Sequence, residues 1–253
     1  EVTHTASPAI TGDITGSVFG DDSTLLVDGV NNKIVGAVDT ASLRTSESNI
    51  ALGNSAGSDT QGSRAVAVGY QAGQTTQGGS AVAIGRQAGN VTQGASAVAV
   101  GYQAGKTDQA TKAIAVGVYA GYTTQGASAV AVGNLAGQTT QGASAVAIGI
   151  EAGRTTQGVE AVAIGRLAGT TAQGADAVAI GNDAGKTNQG ASAVAVGDTA
   201  GNATQGQFGI AIGASAGETT QGAGAVAVGF TAGYTTQGNN AVAIGPYAGE
   251  ADQ

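Results

Sequence analysis

Two stretches of this chain carry the residue types of a phosphate-binding loop, Gly101-Tyr-Gln-Ala-Gly-Lys-Thr107 and Gly181-Asn-Asp-Ala-Gly-Lys-Thr187. Such a loop needs four residues between its first glycine and Gly-Lys-Thr, and it must open a helix whose N-terminus faces the phosphate. Here three residues intervene and no helical periodicity follows, so neither stretch reads as a phosphate site. Nucleophilic and zinc chemistry lack material, because His4 is the only histidine and there is no cysteine. Asp21, Asp22 and Asp28 could offer oxygen ligands to calcium, but without the Asp-x-Asp-x-Asp-Gly loop pattern they read as turn residues. Asn90-Val-Thr92 and Asn202-Ala-Thr204 match the glycosylation acceptor, a match that arises from drift within a repeated segment. No catalytic residue, metal ligand or cofactor is assigned, and the chain reads as a non-enzyme. What remains is recognition chemistry: Tyr102, Tyr119 and Tyr122 form one aromatic group and Phe230, Tyr234 and Tyr247 another. Each group either covers a corner of the fold or contacts a receptor, since aromatic rings dock sugars and protein surfaces.

All these aromatic residues sit in one repeating frame. The glycine closing each Ala-[Val/Ile]-Ala-[Val/Ile]-Gly run recurs every 16 residues from Gly53 to Gly245, giving thirteen copies over 49–253. A period this short, without insertions, is one coil of a β-solenoid rather than a helix pair or propeller blade. With that glycine as position 0, positions −4 to −1 alternate with period two, as a strand does. Both faces of this strand are apolar. Val and Ile are expected to fill the interior while the Ala face allows close approach of another backbone, with the reverse assignment as the alternative. Positions +1 and +2 vary and belong to an exposed corner. Ala and Gly follow at +3 and +4 in every copy, marking a tight turn with a glycine at positive φ.

Positions +5 to +9 read x-Thr-Thr-Gln-Gly, a second strand. Its substitutions point +5 and +7 to solvent, while +6 shares a face with +8, directed inward or to a subunit contact. Position +8 is Gln throughout, and Gln77, Gln93, Gln125, Gln141 and Gln157 are expected to hydrogen-bond amide to amide at the strand spacing of about 4.8 Å.

Composition narrows the class. The chain has 45 glycines and two prolines, and 42% of its residues are apolar and patterned, which excludes collagen and disorder. Its net charge of −8 offers no basic stripe for nucleic acid. No run of about 18 apolar residues suggests a membrane helix. Beginning at Glu1 without a charged-then-apolar leader, the chain reads as a processed form or a fragment. Residues 1–48 lie outside the repeat and read as a β-rich unit with strands at 14–19, 23–27 and 33–38, placed to cap the first coil. Two large aliphatics per coil make a thin core, so burial of the second apolar face between copies is expected, most simply in a homotrimer.

The run Ala-Val-Ala-Ile-Gly at 81–85, 145–149 and 241–245 resembles the head repeats of trimeric autotransporter adhesins, and similar repeats occur in trimeric bacteriophage tail fibres. The resemblance implies a left-handed parallel β-roll, three intertwined chains and adhesion to a host molecule. The stretch Asp13–Val38 also looks similar to segments in structural proteins of marine tailed phages. The repeat departs from the adhesin pattern in length, 16 residues against about 14, and in reading Ala-Ser where that family begins Asn-Ser. The expected fold class is therefore all-β, a homotrimeric parallel β-solenoid with a short β-rich N-terminal unit. The expected function is a structural rod of a phage tail fibre or virion appendage that attaches to a host surface receptor such as a glycan, without nucleic-acid binding or membrane insertion. A bacterial surface adhesin is the alternative, with location on a virion or cell surface accordingly. An ice-binding solenoid is the alternative from another class, since Thr fills +6 and +7 in nine copies each. Adjacent threonines are expected on opposite faces, leaving one exposed column interrupted at Asp108, Ala172 and Asn188.

Overall fold

The computed structural model describes residues 49–251 and the backbone of three short strands before them. The chain divides into two units, Glu1–Arg44 and Thr45–Gln253. In the first, Val18–Phe19 pairs antiparallel with Leu25–Asp28, which pairs antiparallel with Lys33–Ile34. These strands fall on the three expected stretches but are shorter, or end one residue later, than expected. Asp21, Asp22 and His4, and the expected capping role, lie outside the described residues.

The second unit is a parallel β-solenoid of about twelve turns. Positions −3 to −1 of every coil, from Ile50–Leu52 to Val242–Ile244, build a thirteen-stranded sheet, and positions +7 and +8, from Thr60–Gln61 to Thr236–Gln237, build a twelve-stranded one. Register advances by one repeat per step, as in Val98 opposite Val82 and Ile114, and Gln109 opposite Gln93 and Gln125. In the thirteenth copy positions +7 and +8 are residues 252 and 253, which lie outside the described residues. No helix occurs among the described residues, so none is long and apolar enough to cross a membrane.

The interior reverses one expectation. Ala at −2 and +3 forms a continuous buried column from Ala56 to Ala243, while Val and Ile at −3 and −1 point outward and are half-buried or exposed. The reason lies on the opposite sheet. The glutamine at +8 projects into the coil, and in nine coils it is among the largest fully buried side chains. With that amide between the sheets, a methyl fits opposite and a branched side chain does not. Glycine at 0 sets the coil-to-coil approach: at Gly133, φ is 133° and an added Cβ would lie 2.4 Å from the Gly149 carbonyl oxygen. Glycine at +4 takes positive φ as expected, 53° at Gly137, and leaves room for the Gln141 amide, whose carbon an added Cβ would meet at 2.9 Å.

Two further expectations on the second strand are corrected. The strand is two residues long, so +6 lies in the bend before it and its residues are exposed or half-exposed rather than inward. Position +5 is mostly half-buried, and Asn90 and Thr170 there are buried. Position +7 is solvent-facing as expected.

Candidate functional site

The turn that follows the thirteen-stranded sheet forms a corner along the solenoid. Residue +2 takes a left-handed conformation in every coil, with φ from 52° at Thr231 to 60° at Tyr247, although none is glycine. L-residues avoid this region because Cβ crowds the backbone, so each such residue is strained by about 1–2 kcal/mol. The backbone places the side chains of +1, +2 and +5 on the same corner, where each meets its equivalents one coil away.

In coils two to five this corner becomes an aromatic and cationic cluster. Position +1 holds Tyr70, Arg86 and Tyr102 in succession, and the Arg86 guanidinium carbon lies 5.7 Å from the Tyr70 ring centre and 5.5 Å from that of Tyr102. Arg86 Nη1 also donates to the Tyr102 hydroxyl at 3.5 Å. Tyr102 packs edge-on against Tyr119 with centroids 5.2 Å apart, and Tyr119 against Tyr122 at 5.5 Å. Lys106 Nζ lies 5.2 Å from the Tyr122 ring centre and donates to its hydroxyl at 3.3 Å. Hydrogen bonding with Tyr102 holds the Tyr119 phenol above the ordinary tyrosine value. Beneath the cluster, Gln71, Gln87 and Gln103 at +2 form a short amide ladder.

The structure therefore unites Tyr102, Tyr119 and Tyr122. Of the other group it pairs Phe230 with Tyr247, edge-on at 5.4 Å, and leaves Tyr234 outside that ring pair. Sequence reasoning missed Tyr70, Arg86 and Lys106 as members of the first cluster. The signal was available, since all three occupy corner positions within two coils of Tyr102.

The expected glutamine column is present. Gln77 Nε2 donates to Gln93 Oε1 at 3.1 Å and to its own coil's Val66 carbonyl at 2.8 Å, and Gln93, Gln125 and Gln141 repeat the pattern. The column breaks once. Gln157 Nε2 bonds only the Val146 and Ala161 carbonyls, and Gln173 Oε1 is buried without a partner.

The phosphate-loop lookalikes serve the corner instead: Lys106 sits against Tyr122, and Lys186 Nζ pairs with Asp183 Oδ1 at 2.9 Å. Asn90 and Asn202 donate their side-chain amides to the Gln71 and Asp183 carbonyls, so both acceptor asparagines are engaged internally. Among the described residues no three His, Cys, Asp or Glu side chains gather as metal ligands.

Charge is distributed unevenly. Residues 49–148 carry four bases and two acids, net +2, whereas 149–251 carry three bases and seven acids, net −4. All three bases in the second segment have carboxylate partners: Arg154 with Glu151, and Arg166 and Lys186 with Asp183. Among the described residues Arg64, Arg86, Lys106 and Lys112 have none. Comparison of the chain with protein-family models, curated proteins and solved structures gave no match.

Proposed function

We propose that the solenoid is a self-associating rod, a homotrimeric segment of an attachment fibre whose corners present contacts to a host surface. One observation carries this reading. The thirteen-stranded sheet turns 26 aliphatic side chains outward in two straight columns, with Ile148 at 39%, Ile212 at 41% and Leu52 at 49% exposure, while the interior holds methyl groups and amides. A contiguous apolar face on this scale is what a subunit interface buries. Copies aligned in parallel keep every coil in register, so one rotation closes all contacts together. Twelve coil-to-coil steps at about 4.8 Å extend the solenoid over about 60 Å, which suits a spacer that holds binding groups away from a body. Three copies then engage a surface with avidity. A tail fibre or virion appendage is the setting that this reading favours, and a bacterial surface adhesin uses the same geometry.

The ice-binding reading gains exposed threonines, since both +6 and +7 face solvent. It does not gain a flat lattice: +6 lies in the bend at the sheet's edge, and the +7 column is interrupted at Asp108, Ala172 and Asn188. The deciding measurement is the mass in solution by light scattering, against 23.9 kDa for one chain. A threefold value is the expected result, and a monomer sinks the rod reading.

A further inference from the structure

We infer that the corner formed by Tyr70, Arg86, Tyr102, Lys106, Tyr119 and Tyr122 is a binding surface for an acidic polysaccharide. This rests on the attachment reading in that it names the class of surface molecule engaged. Three features in combination distinguish the corner from the rest of the solenoid, where among the described residues Arg64 and Lys112 also lack a carboxylate partner but neither lies over a ring. First, its two cations have no carboxylate partner, whereas every base beyond residue 148 is paired with Glu151 or Asp183. Arg86 and Lys106 are held instead by ring faces and phenol oxygens, which fix their positions without neutralising them. Second, the Tyr102 and Tyr122 hydroxyls each accept from a cation, so the hydroxyl hydrogens remain available to donate to an anion. Third, Tyr70 is 46% exposed and lies beside these donors, offering the ring surface on which sugar C–H faces pack.

Together these supply what a chain of sugars with carboxylate or sulfate groups requires: point charges, fixed hydroxyl donors and apolar ring area along one line. The sparse charge argues against nucleic acid. A phosphate on every nucleotide calls for a row of Lys and Arg, but this corner has two cations in a segment with a net charge of only +2. The coil repeat makes the site linear, which suits a polymer rather than a compact small molecule.

The test is binding of the whole chain to immobilised alginate, dextran sulfate, uncharged dextran and single-stranded DNA by biolayer interferometry. Expected are binding to at least one of the two acidic polysaccharides, none to dextran, and a loss of about tenfold or more in the Arg86→Gln/Lys106→Gln double variant. An Arg154→Gln/Lys186→Gln control should bind as the parent does. Arg86→Lys keeps the charge and should retain part of the affinity. Circular dichroism melts establish that each variant is folded. Equal affinity of the double variant and the parent, absence of binding to both acidic polysaccharides, or binding to DNA as strong as to the sugars would each overturn the inference. Light scattering on the same samples separates the two ideas: a trimer that ignores acidic sugars refutes only the ligand, and a monomer that binds them refutes only the rod.

Discussion

At the level of single residues, the buried glutamines decide whether a coil this thin can exist. Each amide satisfies a backbone carbonyl on the facing sheet and a neighbouring amide, so removing one strands partners that water cannot reach. Gln141 accepts from Gln125 and donates to Gln157 and the Val130 carbonyl, whereas Gln173 donates to Gln189 and the Val162 carbonyl and accepts nothing. Gln141→Leu should therefore cost about 1–3 kcal/mol more than Gln173→Leu, measured as the difference in urea-unfolding free energy. Thr231 makes the opposite case. It is β-branched, sits at φ 52° and buries its hydroxyl without a partner, so Thr231→Gly should raise stability by about 1 kcal/mol. An unchanged or lowered melting temperature would count against strain at that position. The glutamine column was legible because Gln never varies at +8. The left-handed residue at +2 was hidden because its composition is free: Gln, Tyr, Leu, Glu and Asp all occur there, and their side chains stack between coils instead of giving way to glycine.

At the level of the strand and turn, spacing between coils is set by glycine rather than by side chains. Gly133→Ala drives a methyl toward the Gly149 carbonyl at a φ that L-residues rarely adopt, and it should cost at least about 3 kcal/mol. Gly79→Ala, at a position where several other coils hold Ala, meets nothing closer than 3.5 Å and should leave the melting temperature within a degree or two of the parent. Similar losses from both substitutions would refute the assignment of coil pitch to position 0. The period, the parallel register and both strands could be read from the sequence. Which face of Ala-Val-Ala-Val lies inside could not, because both faces are apolar and the answer depends on what the opposite strand contributes. That strand contributes an amide, so methyl groups go in and branched chains go out. The inward reading of +6 failed for a related reason: alternation predicts faces only within a strand, and the strand starts at +7, two residues later than expected.

For the whole molecule, the outward aliphatic columns make oligomeric state and stability one question. Ile148→Lys/Ile164→Lys places two charges mid-column on exposed positions, where an isolated chain would tolerate them and a packed interface would not. The double variant should lose the threefold mass by light scattering while keeping its β-type circular dichroism, and an unchanged oligomer would move the interface elsewhere. The break-interrupted glutamine column has a further consequence. Outside the strand ladders, backbone N–H groups donate both ways along the axis, Thr76 forward to Val91 and Gly85 back to Val68, with forward donation the more frequent. The amides of Gln61 through Gln141 each donate to the next amide toward the C-terminus, and those of Gln173 through Gln221 do the same. Their oxygens therefore face the coils with surplus bases, and their N–H groups face the coils with surplus acids. The solenoid is thus electrically polar along its length as a magnet is magnetically polar, its internal poles matched by the opposite charge on its surface. Copies lying side by side in the same direction set like ends together, so salt that screens those ends should favour their alignment.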